Sequence, residues 1–459
     1  MRVIKNYKTV LFIISISLLY IAFLLHSQDA DMFFTIYSGK ELLQNNFIYN
    51  NSTHLPIIIQ QWLYAIILYK IDQFGYIGDI LFVFIQNIIL WIISYKFIYL
   101  KTNNKYKAYI IPIVCTLICN TYMINIRPQI ITMILLVSQI YVLEKYKLTN
   151  NWKLLLYLIL IGILSANFHQ AVFLYHMYVM LPYMLNINTK NLIDYKVVLF
   201  TIIMLTTILL TPYGINGFLF IFKVAKSNAF NNIDILEIEP ITITSFLGVC
   251  AVIMLLYVLI INYLHKSNIY INFYAISIIL LSLMSVRHMS ILYIPLLFIF
   301  TNIEFNISIP ILYLYSILFL SSLIFISRLN TPLDLVKTNT PSTLYNIETI
   351  IPKNARVFNT MNIGGYLEYL GYNNIRLDTR PELYTSEFIN ENRLDEYIAT
   401  EKCIDKDGFY LEDNTIKKYL TNYDYIILNS NAYANKLMID LNYKQIYSTN
   451  YLKVYKSIY

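Results

Sequence analysis

Long apolar runs fill the first 330 residues of this chain and restrict it to very few folds. A helix that crosses a bilayer needs about 20 consecutive, mostly apolar residues. With 58% hydrophobic and 13% charged residues, the chain has too little polar surface to cover a soluble globule of 459 residues. The sequence therefore predicts an α-helical polytopic membrane protein. Its runs of spanning or near-spanning length predict about eleven transmembrane helices: 10–25, 77–95, 108–125, 129–144, 153–167, 171–186, 197–211, 243–264, 270–285, 289–302 and 309–327.

Two shorter segments between the first two runs are amphipathic. Residues 31–45 and 57–71 place their apolar side chains on one helical face and their polar ones on the other. This pattern is typical of helices that lie in the membrane interface. We therefore predict two interfacial helices in the first loop.

The distribution of basic residues predicts the orientation, because cytoplasmic loops carry an excess of Lys and Arg. With the N-terminus in the cytoplasm, the predicted inner loops hold thirteen basic residues: Arg2, Lys5, Lys8, Lys96, Lys101, Lys105, Lys107, Lys145, Lys147, Lys153, Lys190, Lys196 and Lys266. The predicted outer loops hold six: Lys40, Lys70, Arg127, Lys223, Lys226 and Arg287. The sequence thus predicts a multi-pass protein of the cell membrane with an extracytoplasmic C-terminus.

The composition changes sharply between Ser327 and Pro332, where the apolar runs end. Strand-like stretches then alternate with helical ones, a pattern that favours a small α/β domain. We predict a transmembrane bundle over 1–330 and an extracytoplasmic α/β domain over 331–459. The predicted strands are 355–358, 375–377, 425–428 and 451–455, and the predicted helices include 364–370 and 412–420.

Polar and ionisable groups collect at the predicted outer ends of the spans. Such groups are costly at membrane depth, so a convergent set predicts a site. Taken one at a time, each has a structural interpretation: a solvated loop aspartate, a snorkelling arginine or a histidine bonded within the bundle. The set comprises Asp29, Asp31, Arg127, Gln129, Asn167, His169, Glu237, Glu239, Arg287 and His288.

The chemistry available to such a set is group transfer from a lipid-linked phosphate. A carboxylate beside an interfacial helix can remove a proton from an acceptor hydroxyl or hold a divalent cation, and arginine or histidine can bind a phosphate leaving group. The sequence has neither a G-x-x-x-x-G-K nor a G-x-G-x-x-G motif. A nucleotide donor is not indicated, and the net charge of +7 reports membrane topology better than a nucleic-acid partner.

A series of short motifs resembles the GT-C glycosyltransferase superfamily, which uses polyprenyl-phosphate sugars. Within it, the motifs are similar to a broad prokaryotic family of mannosyltransferase-like and aminoarabinose-transferase-like membrane proteins. They are Asp29-Ala30-Asp31-Met32-Phe33-Phe34 with Gly39, Gln61-Trp62-Leu63, Arg127-Pro128-Gln129, Asn167-Phe168-His169, Pro212-Tyr213-Gly214, Glu237 with Pro240, Val286-Arg287-His288, Gly364-Gly365-Tyr366-Leu367 and Asp378-Thr379-Arg380.

The resemblance implies that Asp29 or Asp31 is the catalytic base or a metal ligand. Its members usually carry a histidine and a glutamate before the tryptophan, where this chain has Gln60 and Gln61 before Trp62. That departure bears on activity and on any use of a divalent cation.

For Asp378 and Arg380, a distant likeness to the outer domain of oligosaccharyltransferases implies acceptor binding. A buried ion pair that holds the domain together is the alternative.

The predicted function is a glycosyltransferase that moves a sugar from a polyprenyl-phosphate donor to an extracytoplasmic glycan, lipid or protein. Arg127, Gln129, His169, Arg287 and His288 would bind the donor phosphate. Two alternatives stay open: a lipid or glycan transporter, which would need polar groups such as Gln86 and Asn87 along its path, and a non-catalytic envelope assembly protein.

Overall fold

The structure of the chain is a computed structural model. This structure describes residues 14–15, 17–18, 30–45, 49–50, 56–119, 126–185, 193–226, 240, 242, 244, 246–265, 269–284, 286–302, 347–385, 393–405 and 408–458. The predicted spans at 10–25 and 309–327 lie outside these residues or almost so, as do Asp29, Glu237 and Glu239.

Helices make up most of the described chain, and a small sheet lies near the C-terminus, which confirms the predicted composition of the fold. The α-helices are α1 (Ala30–Gln44), α2 (Trp62–Asp72), α3 (Tyr76–Thr102), α4 (Lys105–Ile118), α5 (Gln129–Thr149), α6 (Leu156–Phe168), α7 (Phe173–Met184), α8 (Tyr195–Thr206), α9 (Gly214–Lys226), α10 (Phe246–His265), α11 (Ile269–Met284), α12 (Tyr293–Asn302), α13 (Ile347–Ile350), α14 (Met361–Tyr369), α15 (Arg393–Lys402) and α16 (Asp413–Leu420). The strands are β1 (Tyr49–Asn50), β2 (Pro56–Ile57), β3 (Val357–Asn359), β4 (Tyr425–Asn429), β5 (Tyr443–Ser448) and β6 (Leu452–Ser457).

The number of membrane spans stays a prediction. Among the described residues, α3 is the helix that is long and apolar enough to cross a bilayer by itself. The stretch Tyr195–Leu209 together with Gly214–Val224 would add a second if the two helices were one broken span.

The chain divides into two compact units. The bundle unit comprises Met1–Ser27, Phe74–Phe218 and Leu236–Asn330, and the sheet unit comprises Gln28–Gln73, Leu219–Ile235 and Thr331–Tyr459. The predicted domain bounds, 1–330 and 331–459, stay a prediction. The two first-loop helices, which the prediction grouped with the bundle, fall in the sheet unit with the C-terminal domain.

Buried polar contacts join the helices of the bundle unit. Lys101 at the end of α3 donates to Glu144 of α5 at 3.0 Å, and Tyr183 of α7 donates to the other carboxylate oxygen of Glu144 at 2.9 Å. Ser94 of α3 shares a hydrogen bond of 2.9 Å with Tyr293. Because Lys101 and Glu144 both lie near the C-terminal ends of their helices, α3 and α5 run in the same direction.

The sheet unit is built on a mixed sheet with the strand order β3-β4-β6-β5, in which β3 and β4 are parallel and the other pairs antiparallel. Side chains alternate between its two faces, as the period of a strand requires. Val357 and Ile427 pack with α13 and α14 on one face, and Phe358 and Ile426 pack with α16 on the other. Helices therefore cover both faces of the sheet.

The helices α1 and α2 approach each other closely at Gly39. A Cβ atom at this position would lie 2.1 Å from the carbonyl oxygen of Ala65 and 2.9 Å from Cβ of Tyr69. The absent side chain lets the two backbones touch, which explains the glycine in the first-loop motif.

Gly39→Ala is expected to lower the free energy of unfolding by about 1–3 kcal/mol, because the backbone of α2 would have to move. The matched control is Gly162→Ala, where the new methyl group would first meet the side chains of Met204 and Thr207 at 2.6 Å each. Thermal unfolding in detergent should show a smaller loss for this control. Equal losses would contradict the close backbone contact at Gly39.

Candidate functional site

Several sequence motifs that are far apart in the chain meet in the sheet unit. Helix α1, which carries Asp31, packs against α2 and against α14, which follows β3. Phe34 and Tyr37 of α1 share one apolar core with Met361 and Tyr384. The first loop and the C-terminal domain thus build one structure around the candidate base.

Asp31 lies in the first turn of α1 with a half-buried side chain. One turn later, Thr35 donates its hydroxyl hydrogen to the carbonyl oxygen of Asp31 at 2.6 Å. The hydroxyl oxygen of Thr35 also accepts a hydrogen bond of 2.9 Å from the Gln61 amide. Gln61 therefore links the start of α2 to the turn that carries Asp31. Carboxylates at a helix N-terminus are favoured by the helix dipole.

The other residues of the predicted Gln60-Gln61-Trp62 group lie beside this link. Trp62 begins α2 and packs against the core that contains Phe34. The side-chain nitrogen of Gln60 is buried and has no hydrogen-bond partner within the described residues. It is a donor that a bound polar group could satisfy.

Asp378 and Arg380 form a buried ion pair in the same unit. Asp378 is fully buried and accepts two hydrogen bonds of 2.8 Å from Arg380, one from the guanidinium and one from the backbone N–H. The guanidinium carbon lies 4.0 Å from the ring centroid of Phe34, a cation–π distance. Arg380 thereby connects the C-terminal motif to the first-loop motif.

Asn359, which the sequence analysis did not single out, holds this segment in place. Its fully buried side chain donates to the carbonyl oxygen of Leu377 at 2.8 Å and accepts from the backbone N–H groups of Arg376 and Leu377 at 3.0 and 3.3 Å. Asn359 is the last residue of β3, and its hydrogen bonds hold the segment that leads into Asp378 and Arg380 at the carboxyl end of that strand. Ligand sites are common at this edge of α/β sheets.

The pKa values of two tyrosines in this unit, Tyr384 and Tyr37, are raised. Burial raises the pKa of Tyr384 well above its usual range, and the carboxylates of Asp378 and Glu368 raise it further. Tyr384 accepts a hydrogen bond of 3.0 Å from the backbone N–H of Asp378. Burial also raises the pKa of Tyr37, to which Glu368 and Glu41 add. These phenols stay neutral at physiological pH and act as hydrogen-bonding groups.

The bundle unit carries the second group of predicted site residues. His169 Nδ1 shares a hydrogen bond of 2.8 Å with Thr132, one turn into α5 from Arg127 and Gln129. The amide of Asn167 donates to the carbonyl oxygen of Leu210 at 3.2 Å. The predicted ends of three apolar runs, near residues 129, 167 and 211, therefore meet.

His288 lies in the turn Val286–Leu292 and shares a hydrogen bond with the hydroxyl of Tyr175 on α7. Arg287 lies in the same turn, and its side chain is outside the described part of the chain. Thr132 and Tyr175 were missed by sequence reasoning. Thr132 lies one helical turn after Pro128-Gln129, a spacing that could have singled it out.

The use of a divalent cation stays a prediction. No group of three or more His, Cys, Asp or Glu side chains within the described ranges is arranged to hold a metal ion. Hard divalent cations prefer several oxygen ligands, and Asp29, the other carboxylate of the first-loop motif, lies outside the described residues.

The fold is similar to that of a solved oligosaccharyltransferase. The crystal structure of the oligosaccharyltransferase of Archaeoglobus fulgidus, a GT-C superfamily member tethered to an acceptor peptide with the NVT sequon, superposes with a TM-score of 0.51. The likeness covers 93% of this chain and 69% of that one at 10% identity. No protein-family model and no curated protein matches the chain. A membrane-protein neighbour and the apolar helix α3 are consistent with membrane localisation.

Proposed function

We propose that the chain is a membrane glycosyltransferase that moves a sugar from a polyprenyl-phosphate donor to an acceptor hydroxyl on the extracytoplasmic side. The observation that carries the proposal is the convergence of the Asp31, Gln61 and Asp378–Arg380 motifs in one unit of a GT-C-like fold. If these residues served only to hold the fold together, no carboxylate such as Asp31 would be needed beside the contacts between them.

In the proposed reaction, Asp31 or Asp29 takes the proton of the acceptor hydroxyl while the acceptor oxygen attacks the anomeric carbon. The new oxygen–carbon bond forms as the bond from the anomeric carbon to the phosphate oxygen breaks. The configuration inverts, and polyprenyl phosphate leaves with the electron pair of the broken bond.

The donor phosphate is assigned to basic and polar residues of the bundle unit. Arg127, Arg287 and His288 would supply charge and hydrogen bonds to the phosphate as its negative charge grows in the transition state. His169, which shares a hydrogen bond with Thr132, and Gln129, which lies one turn before Thr132 in α5, would orient the same group. Asp378 and Arg380 of the sheet unit would bind the acceptor, with Arg380 held against Phe34.

A comparison of glycans with and without the gene tests this proposal. Loss of the transferase should leave its lipid-linked donor unconsumed and remove one sugar from an extracytoplasmic glycan, lipid or protein. Mass spectrometry of lipid-linked and surface glycans measures both. If both pools are unchanged while the protein is normally expressed from the parental gene, the proposal fails.

Transport is the second candidate because α3 buries polar groups along one face. Asp79, Gln86, Asn87 and Ser94 are all buried there, and neither amide atom of Gln86 has a hydrogen-bond partner within the described residues. A transporter would move an intact lipid or glycan between leaflets and form no new glycosidic bond. Incubation of the purified protein with donor and acceptor separates the two, since a transporter leaves the sugar bonded to its lipid phosphate.

A further inference from the structure

The helix α9, which the sequence analysis treated as a loop, presents an apolar stripe to the surroundings. Ile215, Leu219 and Phe222 are 51%, 55% and 43% exposed. They are spaced four and three residues apart, so they lie on one side of the helix. Lys226, four residues further on, continues the same line, and its side chain is also exposed.

Near its start, α9 packs against other helices of the protein on the side opposite this stripe. Gly217 is buried, and a Cβ atom there would lie 2.5 Å from the side-chain oxygen of Gln170. Phe218 packs against the apolar cluster of Ala166, Phe173 and Ile208. These contacts hold α9 in one orientation, so the same apolar side chains stay exposed.

The preceding helix carries a stripe of the same kind. Tyr195, Leu199 and Ile202 on α8 are exposed, whereas Val197 and Met204 on the same helix are buried. In a membrane protein such a face contacts acyl chains. At the end of this stripe the chain bends by 92° before α9 begins. The exposed apolar surface thus continues from α8 onto α9, which lies nearly perpendicular to it.

We propose that α9 lies in the plane of the membrane interface, with Ile215, Leu219 and Phe222 among the acyl chains. Lys223 and Lys226 then bind the phosphates of anionic phospholipid headgroups. Amphipathic helices with basic residues bind membranes in this way, with the apolar face buried about 5–10 Å below the headgroups. Charge complementarity selects anionic lipid as the occupant, because the basic residues end the apolar stripe. The proposal is independent of glycosyl transfer.

Spin labels on the full-length chain, reconstituted in vesicles, test this placement. The labels are attached at Ile215→Cys, Leu219→Cys or Phe222→Cys, in a chain whose four cysteines are replaced by alanine. Collision with oxygen and with a water-soluble nickel chelate measures depth. Ile202→Cys on α8 is the acyl-chain control, and Lys444→Cys on β5 is the aqueous control.

The three labels on α9 are expected to lie at one depth, about 5–10 Å below the phosphates. A helix that crosses the bilayer rises 1.5 Å per residue, so a depth difference of about 10 Å between positions 215 and 222 would overturn the proposal. Labels as accessible to nickel as Lys444→Cys would also overturn it. So would labels inaccessible to both reagents, because another protein segment would then cover the stripe.

The charge of the lipid is tested by Lys223→Gln with Lys226→Gln. In vesicles with 30% anionic phosphatidylglycerol, the double substitution should shift the label at Leu219→Cys toward water. In vesicles of phosphatidylcholine alone, it should leave the depth unchanged. An equal shift in both lipids, or none in either, contradicts headgroup binding by these lysines.

Discussion

Replacing both Asp29 and Asp31 by Asn is expected to lower sugar transfer at least about 100-fold, because a positioned general base contributes roughly 10²–10⁴ to a rate. Asparagine keeps the shape of the side chain but cannot accept the acceptor's proton. Transfer by purified protein in lipid vesicles measures the effect. Asp31→Asn alone tests whether the residue in the first turn of α1 is the base.

The control for this substitution is Glu41→Gln, which removes a carboxylate from the same helix ten residues further on. Glu41 accepts a hydrogen bond of 2.9 Å from Asn45 and lies near the other end of α1. Its replacement should leave transfer within about twofold, since glutamine keeps the size of the side chain and an oxygen that accepts the hydrogen bond from Asn45. Full transfer by the double aspartate variant would disprove the proposed chemistry.

Asp378→Ala is expected to destabilise the sheet unit by about 3–5 kcal/mol, because it leaves the mostly buried guanidinium of Arg380 without its carboxylate. Removing both charges with Asp378→Asn and Arg380→Met should recover much of the loss. Trp62 packs in the core beside this pair. Its fluorescence can therefore follow unfolding of the unit in a chain whose Trp91 and Trp152 are replaced by phenylalanine.

This double-mutant cycle also separates two roles of the pair. A structural pair predicts that the doubly substituted chain is stable and active. Acceptor binding by Asp378 or Arg380 predicts a stable but inactive double variant. Unchanged unfolding in the Asp378→Ala variant would contradict the buried ion pair itself.

The sequence predicted local structure well where one physical signal dominated. The amphipathic segment 31–45 corresponds to α1 (Ala30–Gln44). The segment 57–71 corresponds to α2, but the helix starts only at Trp62, because Pro56–Ile57 pairs with Tyr49–Asn50 as a short antiparallel ladder. Periodicity reports which face of a helix is apolar and says nothing about a ladder with a distant strand.

Two features of the C-terminal sheet differ from the predicted strands. Residues 375–377 form a single bridge, at Ile375, because the backbone N–H of Leu377 bonds to the Asn359 side chain and not to a strand. The strand β5 was missed, since it is an edge strand whose middle residues Lys444, Gln445 and Ile446 are all exposed. The burial of this strand does not alternate, so the period of two on which the prediction rests is absent.

For the candidate site too, the sequence predicted the residues but not the contacts between them. The motifs around Asp31, Gln61 and Arg380 could be singled out by residue type. Their meeting in one unit could not, because Phe34 and Arg380 are separated by more than 300 residues and only the shape of the fold brings them together. The bundle residues Arg127, His169 and His288 were predicted by their charge at the ends of apolar runs, whereas their partners Thr132 and Tyr175 carry no such signal.

The central claim, that this chain transfers a sugar from a lipid-linked phosphate, is tested most directly by donor turnover. Purified full-length protein in vesicles is incubated with radiolabelled polyprenyl-phosphate sugars and with an extracytoplasmic extract from cells that lack the gene. We expect label to leave the lipid fraction and enter a glycan, lipid or protein of the extract, and the Asp29→Asn, Asp31→Asn variant to leave it in the lipid. Label that stays in the lipid with the parental protein, or that moves equally with the variant, would contradict the account.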